Sequence, residues 1–377
     1  MRPLRVLHLP TNIRWIMDVI IEGQNEIGIE TQKFILCNEL LWGPLRDPNN
    51  PKRGWPIFIR QLLHFMRVYI KALLWADVIH WQYATRFWPE HSFMRSWDFK
   101  IINFLKKPSV AQFHGLDFMR NYEWAKENPW WLEAFSEESF EEFEHVGKIA
   151  QRDFVDAGFI LIMGHGMLPA VLPKNEKRAM LLERSVDVAV LCPQINEYEE
   201  SRAIVIIHGP SSPQKKGTKY VKSAVEKLSK IRDINYIELQ NMDHDEVVER
   251  LGEGDIVVDQ LLCGDYGLAS VEALARGNAV VANICDTVKS SYPDDLPIVS
   301  ATPETIFDVL LDLVDDHAKR IDLAKCGYEY AYRVHSKEAT MPEILQAYRK
   351  AAVEKGRRRV VKKIDAALEK CKSHKWR

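Results

Sequence analysis

The chain has 377 residues, with 51 Lys and Arg against 53 Asp and Glu, a formal charge of −2, 46% hydrophobic residues and 28% charged ones. This is the make-up of a folded globular protein of two or three domains, and it excludes wholesale disorder, a collagen-like fibre and a small disulfide scaffold. The six cysteines form no C-x-x-C pair, which excludes zinc-ribbon and thioredoxin spacings and suits free thiols in a reducing compartment.

In chain order, 4–9 (LRVLHL) reads as a short buried strand. Ile16, Ile20 and Ile21 mark one face of a helix, and the β-prone TQKFIL around Phe34 a second strand. A long helix is expected over 57–75, then strands at 77–82 and 109–115, an acidic helix from Glu137, and a strand at FILIMG. The pattern restarts at 203–208 (AIVIIH). Val221, Ala224, Val225 and Leu228 give a helix by their spacing, and NYIEL, a helix through Val247 and Leu251, DIVVDQ, a helix over 266–276 and NAVVANI follow. Strands alternating with helices mean βαβ units and parallel sheets. Two strand-first runs give an α/β chain with two Rossmann-like domains, and the end from about Pro342 is helical and basic.

Ligands of open parallel sheets bind beyond the carboxyl ends of the strands. Two strand-to-helix loops there carry chemistry. The first, HGPSSPQKKGTKY (208–220), holds Gly209, Ser211, Ser212, Lys215, Lys216 and Gly217. Small residues let backbone N–H groups approach an anion, hydroxyls add donors, and lysine supplies countercharge, so a phosphate is the natural guest. The spacing is not that of a Walker loop, and a solvated turn with surface lysines is the competing reading. The second loop, in 261–284, runs through Gly264, Asp265 and Gly267 into a helix that Asp265 can cap. Glu272 flanks Leu268, Val271 and Leu274, where a carboxylate can accept from both hydroxyls of a ribose or stand solvated beside a core stripe.

Lys216-Gly217 after a strand, then GDYGLASVEALARGNAVVA, resembles the nucleotide-sugar half of family-4 glycosyltransferases of the GT-B fold. That family carries E-P-F-G-x-x-x-x-E-A-x-A-x-G-x-P-V, and Tyr266, Gly267, Glu272, Ala273, Ala275, Gly277 and Val280 fall at matching positions. The resemblance spans the chain as architecture and is specific over 203–284. It implies two Rossmann-like domains facing across a cleft, an acceptor-binding one over 1–190 and a donor-binding one over 191–341, with a return helix and basic tail over 342–377. It implies that Lys216 holds a donor diphosphate, Glu272 the ribose, and the backbone at Gly267 and Leu268 the phosphate, while the loop after Glu238 and Leu239 meets the base. His114, in QFHGLD, is placed near the transferred sugar; a core histidine is its alternative reading. The implied activity moves a sugar from a UDP- or GDP-sugar to a hydroxyl of a glycan or lipid-linked acceptor, with retention, and needs no cofactor and no metal. A non-catalytic nucleotide-sugar-binding protein and a nucleotide-sugar 2-epimerase of the same fold are the alternatives; the Glu272 segment favours the transferase.

Three positions depart from the family pattern. Its first glutamate is Gly264 here, leaving Asp265 and Gln260 as polar neighbours for the sugar hydroxyls. The arginine six residues before the lysine is Pro210, with Ser211 and Ser212 as replacements. The N-terminal Gly-Gly loop reads PTNIRW, with Thr11 and Asn12 as its polar groups on the acceptor side.

No apolar stretch is long enough to span a bilayer, and the N-terminal run is too short for a signal peptide, so a cytoplasmic protein is expected, with a peripheral membrane site as an option. Between 57 and 75 there is no acidic residue, and Arg60, His64, Arg67 and Lys71 form one basic stripe, as on a helix lying in an anionic membrane interface. A core helix with a solvated edge is the alternative. Ten of the eleven tryptophans lie in the first 131 residues, as core, interface anchors or sugar platforms. The tail 355–377 carries ten basic and two acidic residues, net +8. It is expected to brace the N-terminal domain or to meet a membrane; nucleic acid is a minor option, since no aromatic-interleaved basic groove accompanies it.

Overall fold

Short apolar runs become strands here because helices cover both faces of each sheet, so nearly every strand residue is buried. The computed structural model describes residues 2–11, 15–35, 51–84, 87, 97–115, 120–164, 177–195 and 202–376, with the backbone alone over 51–58. The first sheet contains β1 (Arg5–Pro10), β2 (Glu30–Lys33), β3 (Val78–Gln82), β4 (Ser109–Gln112), β5 (Ile160–Met163) and β6 (Ala179–Leu181), all parallel, in the order β2-β1-β3-β4-β5-β6. The second contains β7 (Ile204–His208), β8 (Ile234–Glu238), β9 (Ile256–Val258), β10 (Ala279–Ala282) and β11 (Ile298–Ser300), again parallel, in the order β11-β10-β9-β7-β8. This is the expected α/β class with two Rossmann-like domains.

One strand differs from its expected place. β2 covers Glu30–Lys33 and is largely exposed, and Phe34 follows it. At the sheet edge its side chains face solvent, so ladder pairing with β1 rather than apolar content fixes it.

In each sheet the order reverses beside the first strand, between β1 and β3 and between β7 and β9. These switch points open crevices at the carboxyl ends, which places the loops after β7 and β9 side by side.

The chain returns to the first domain at its end. Helix Lys337–Glu354, which contains Pro342, packs on β4 and β5, and helix Arg358–Ser373 packs on it in turn. Tyr348, fully buried, reaches the polar ends of the first sheet. Its hydroxyl oxygen accepts from Gln24 Nε2 at 2.7 Å and lies 2.7 Å from His80 Nδ1. Gln24 Oε1 accepts from His8 Nε2 at 2.9 Å, and the Gln82 amide donates to His80 Nε2 at 3.1 Å. Burial holds both imidazoles neutral, lowering His8 to about 4 and His80 well below its ordinary value.

The tail's cations serve the same docking. Lys363 Nζ donates to Asp77 at 2.6 Å, Lys355 to Asn103 at 2.9 Å, and Arg357 Nε to the Lys106 carbonyl at 2.9 Å. Among the described residues no helix is long and apolar enough to cross a membrane.

The Tyr348 hydroxyl is therefore an interdomain clamp. Tyr348→Phe should cost about 1–3 kcal/mol, since two buried polar partners lose their hydrogen bond without regaining water. Chemical denaturation checks this, with a lowered midpoint and unchanged slope expected.

Candidate functional site

His208 ends β7 buried, donating or accepting between the Val258 carbonyl at 2.8 Å and Thr218 Oγ1 at 2.8 Å, so the strand end is fixed to its neighbour before the loop begins. Pro213 starts a single helical turn, Pro213–Lys216, that closes at Gly217 with φ +74. A Cβ at Gly217 would lie 3.2 Å from both Leu261 and Leu262. The tight turn aims Lys216 inward, where it is buried and its ammonium pairs with Asp259 just after β9.

Asp259 is the hub of the two loops. Besides Lys216, its carboxylate accepts from Gly267 N at 3.0 Å and Ser270 Oγ at 2.7 Å, at the start of helix Leu268–Arg276. Burial alone would raise this carboxyl; the ammonium, hydroxyl and amide together hold it below its ordinary value. Gly267 N–H is thus already engaged. Leu268 and Ala269 line the cleft, and as first-turn residues their N–H groups have no acceptor within the helix.

The cleft between these loops encloses about 420 Å³. Gly209, Ser211, Lys216 and Leu268 line one end, and Leu239, Asn241, Met242 and Val247 the other, with Glu272 between. Glu272 is buried, and its Oε1 accepts from His244 Nε2 at 2.7 Å. That hydrogen bond raises the His244 pKa against the opposing effect of burial. From the first domain Trp15, held at φ +66 at the start of helix Ile16–Glu26, reaches over the same cleft with its ring 6.3 Å from that of His244.

The other sequence candidates lie around this cleft rather than in its wall. Ser212 stands at the start of the turn without a capping side-chain bond. Lys215 leaves the phosphate loop and lies over the rings of Phe135 and Phe143, 4.5 and 4.9 Å from their centroids. Gln260 Nε2 donates to the Asp265 carbonyl at 2.5 Å. Asp265 accepts from the Tyr292 hydroxyl at 2.9 Å, and burial pushes its pKa up to about 6. Tyr266 is fully buried, its hydroxyl 3.2 Å from His335 Nε2. On the facing domain, His114 follows β4 and donates from Nε2 to Gln82 Oε1 at 3.0 Å. Burial, then the positive charge of Arg184, lowers its pKa to about 3, so it is a neutral imidazole. Thr11 is half-buried after β1; Asn12 lies outside the described residues.

Gly264 has a physical reason to be glycine. Its φ is +77, and a Cβ there would lie 2.6 Å from Asn128 Nδ2 of the first domain. That amide donates to the Leu262 carbonyl at 2.8 Å, and Trp124 Nε1 donates to that of Cys263 at 3.0 Å. The space of the family's first glutamate is filled by an interdomain contact.

Three polar residues at the site escaped the sequence reading. Asp259 was legible only as the polar end of DIVVDQ, and His244 only as part of a helix start. Arg184, in the connection between the domains, carried no pattern. Among the described residues no cluster of His, Cys, Asp or Glu is arranged to hold a metal ion.

No family model and no curated protein matches the sequence. The fold is similar to that of sucrose-phosphate synthase from Thermosynechococcus elongatus, with a TM-score of 0.59 at 13% identity over 94% of this chain and 100% of that one. It is similar also to a glycosyltransferase from Rickettsia africae, with a TM-score of 0.57 at 12% identity over 93% and 99% of the two chains. A third likeness is to HepE of Anabaena in complex with UDP and glucose, with a TM-score of 0.50 at 10% identity over 91% and 98%. The architecture is that of GT-B glycosyltransferases.

If Asn128 closes that space, Gly264→Glu cannot restore a sugar-binding carboxylate. The left-handed backbone alone should cost about 1–2 kcal/mol, with the clash added. A lowered melting temperature and no gain of activity are expected.

Proposed function

We propose that the protein transfers a sugar from a nucleoside-diphosphate donor, a UDP- or GDP-sugar, to a hydroxyl of a glycan or lipid-linked acceptor with retention of configuration. The observation that carries this reading is the cleft itself. It sets a lysine and a helix N-terminus at one end, where a diphosphate needs positive charge, and a buried glutamate in the middle, where a ribose needs an acceptor. The likeness in fold to HepE, seen with UDP and glucose, supports the same ligand class.

Catalysis in this reading is electrostatic. Lys216, held by Asp259, and the N–H groups of Leu268 and Ala269 stabilise the charge that grows on the leaving diphosphate as the sugar becomes oxocarbenium-like. Because these donors are fixed before the substrate arrives, little reorganisation is needed. His114, as a neutral imidazole, faces the transferred sugar from the other domain. Glu272 must exchange or share its bond to His244 when the ribose enters. The contact of Asn128 on Gly264 favours a second reading, donor binding without transfer, and release of labelled sugar from the donor separates the two.

The acceptor side supports attachment to an anionic membrane. On helix Pro51–Trp75, Arg60, His64, Arg67 and Lys71 are exposed together with Ile59, Leu63 and Leu74, which are 50%, 66% and 61% exposed. Cations beside exposed aliphatic side chains suit a helix lying among headgroups. The tail contributes less, since Lys355, Arg357 and Lys363 are spent on the first domain.

Two outcomes test this. In a thermal-shift screen of nucleoside diphosphates, Lys216→Ala and Glu272→Ala should each weaken binding about tenfold or more, the loss of a charged hydrogen bond. Full affinity in both folded variants contradicts the site. Anionic liposomes should sediment the wild type at low salt but not at high salt, each cation near the surface contributing about 1 kcal/mol. The combined Arg60→Glu, Arg67→Glu, Lys71→Glu variant should stay in solution.

A further inference from the structure

Arg184 stands where the two domains meet, three residues after β6. Its backbone is fixed on both sides. His335 Nδ1 lies 2.9 Å from the Arg184 carbonyl, Val186 N donates to the His335 carbonyl at 2.8 Å, and Ser185 Oγ donates to Thr340 Oγ1 at 2.7 Å. The side chain therefore leaves a rigid connection and points into the space between the domains.

Its guanidinium is poorly satisfied there. It makes one long contact, Nη1 to the Tyr266 carbonyl at 3.4 Å, and among the described residues no carboxylate forms an ion pair with it. The neighbouring acids are turned elsewhere. Glu183 lies against Gly164 at the end of β5, and Asp265 accepts from Tyr292. On the opposite side the guanidinium faces His114, whose pKa it helps to lower. A guanidinium has five N–H donors in a planar fork. Held in a cleft with one long contact, it is costly for the empty protein and prepared for an anion.

Its position says which anion. The carbonyl it touches belongs to Tyr266, and the next residue, Gly267, donates to the same Asp259 that holds Lys216. The guanidinium and the Lys216 ammonium thus flank the start of helix Leu268–Arg276 from opposite domains. The loop after β7 has a buried proline, Pro210, and no arginine to assist Lys216.

We propose that Arg184 binds the terminal phosphate of the diphosphate, supplying from the interdomain connection the guanidinium that the phosphate loop lacks. This rests on the nucleotide-sugar reading. A phosphate between Lys216 and Arg184 takes up a bidentate contact on one side and a point charge on the other, and it ties the two domains together while the donor is bound. The same contact then lies next to the sugar faced by His114, where negative charge grows on the leaving oxygen.

The test compares UDP with UMP, and GDP with GMP, by titration calorimetry on wild type, Arg184→Gln and Arg184→Lys, with melting temperatures to report folding. Wild type should prefer a diphosphate to its monophosphate. Arg184→Gln should lose about tenfold in diphosphate affinity, keep monophosphate affinity within about twofold, and so erase most of the preference. Arg184→Lys keeps the charge without the fork and should fall between the two. It also carries the comparison if the glutamine variant does not fold. An undiminished diphosphate preference in the folded variants overturns the assignment while leaving the cleft reading intact. Equal loss for both nucleotides assigns Arg184 a structural role and also overturns it. Failure of the wild type to bind any of the four nucleotides overturns the nucleotide-sugar reading and this assignment with it.

Discussion

One buried carboxylate organises the donor side of this molecule. Asp259 lies at the switch point of the second sheet, and by accepting from Lys216, Gly267 and Ser270 it joins the loop after β7 to the loop after β9. Burying the carboxylate alone would be strongly unfavourable; with an ammonium and two further donors it becomes a rigid joint. The geometry around it follows from that requirement. Gly217 has to turn with positive φ so that Lys216 can point inward, and the small residue Gly267 lets the helix start close beside the carboxylate. The result is a lysine held away from solvent, with its charge partly committed, at the mouth of a helix N-terminus. A phosphate arriving there shares donors that are already oriented, which is the condition under which electrostatic stabilisation is most effective.

A second constraint is that the domains are held to one another by polar contacts in a mostly apolar setting. Tyr348 closes the polar ends of the first sheet, Lys337 reaches Glu26 at 2.9 Å and Asp187 at 3.1 Å, and Asn128 and Trp124 hold the carbonyls of Leu262 and Cys263. These bonds are directional, so they fix the relation of the facing loops better than apolar packing alone would. They also shape the chemistry. The Asn128 contact takes the place of a glutamate side chain, and Trp15 covers the far end of the cleft beside His244. Recognition of the sugar consequently passes to groups on the facing domain.

The sheets were legible because buried parallel strands are short apolar runs, and AIVIIH, DIVV and NAVVA leave little choice of period. Lys216 and Glu272 were legible because each sits in a local motif, a glycine-ended turn or a helix register. Asp259 was not, since its meaning depends on a lysine 43 residues away brought near by strand pairing. The polar strand β2 escaped for a related reason: its identity comes from the neighbour it pairs with, not from its own side chains. Gly264 could be seen as a departure from a pattern, but its cause, the Asn128 amide from the other domain, exists only in three dimensions. Arg184 is invisible to motif reasoning because nothing in LERSVD distinguishes it from a surface arginine.

The most direct test of the central claim is a crystal structure of the protein with the nucleoside diphosphate that stabilises it most. The ribose hydroxyls should lie within hydrogen-bond distance of Glu272, with the His244 bond shared or released, and the phosphates should lie at Lys216 and the start of helix Leu268–Arg276. A nucleotide bound elsewhere, or one in this cleft with its ribose away from Glu272 and its phosphates away from Lys216, would contradict it.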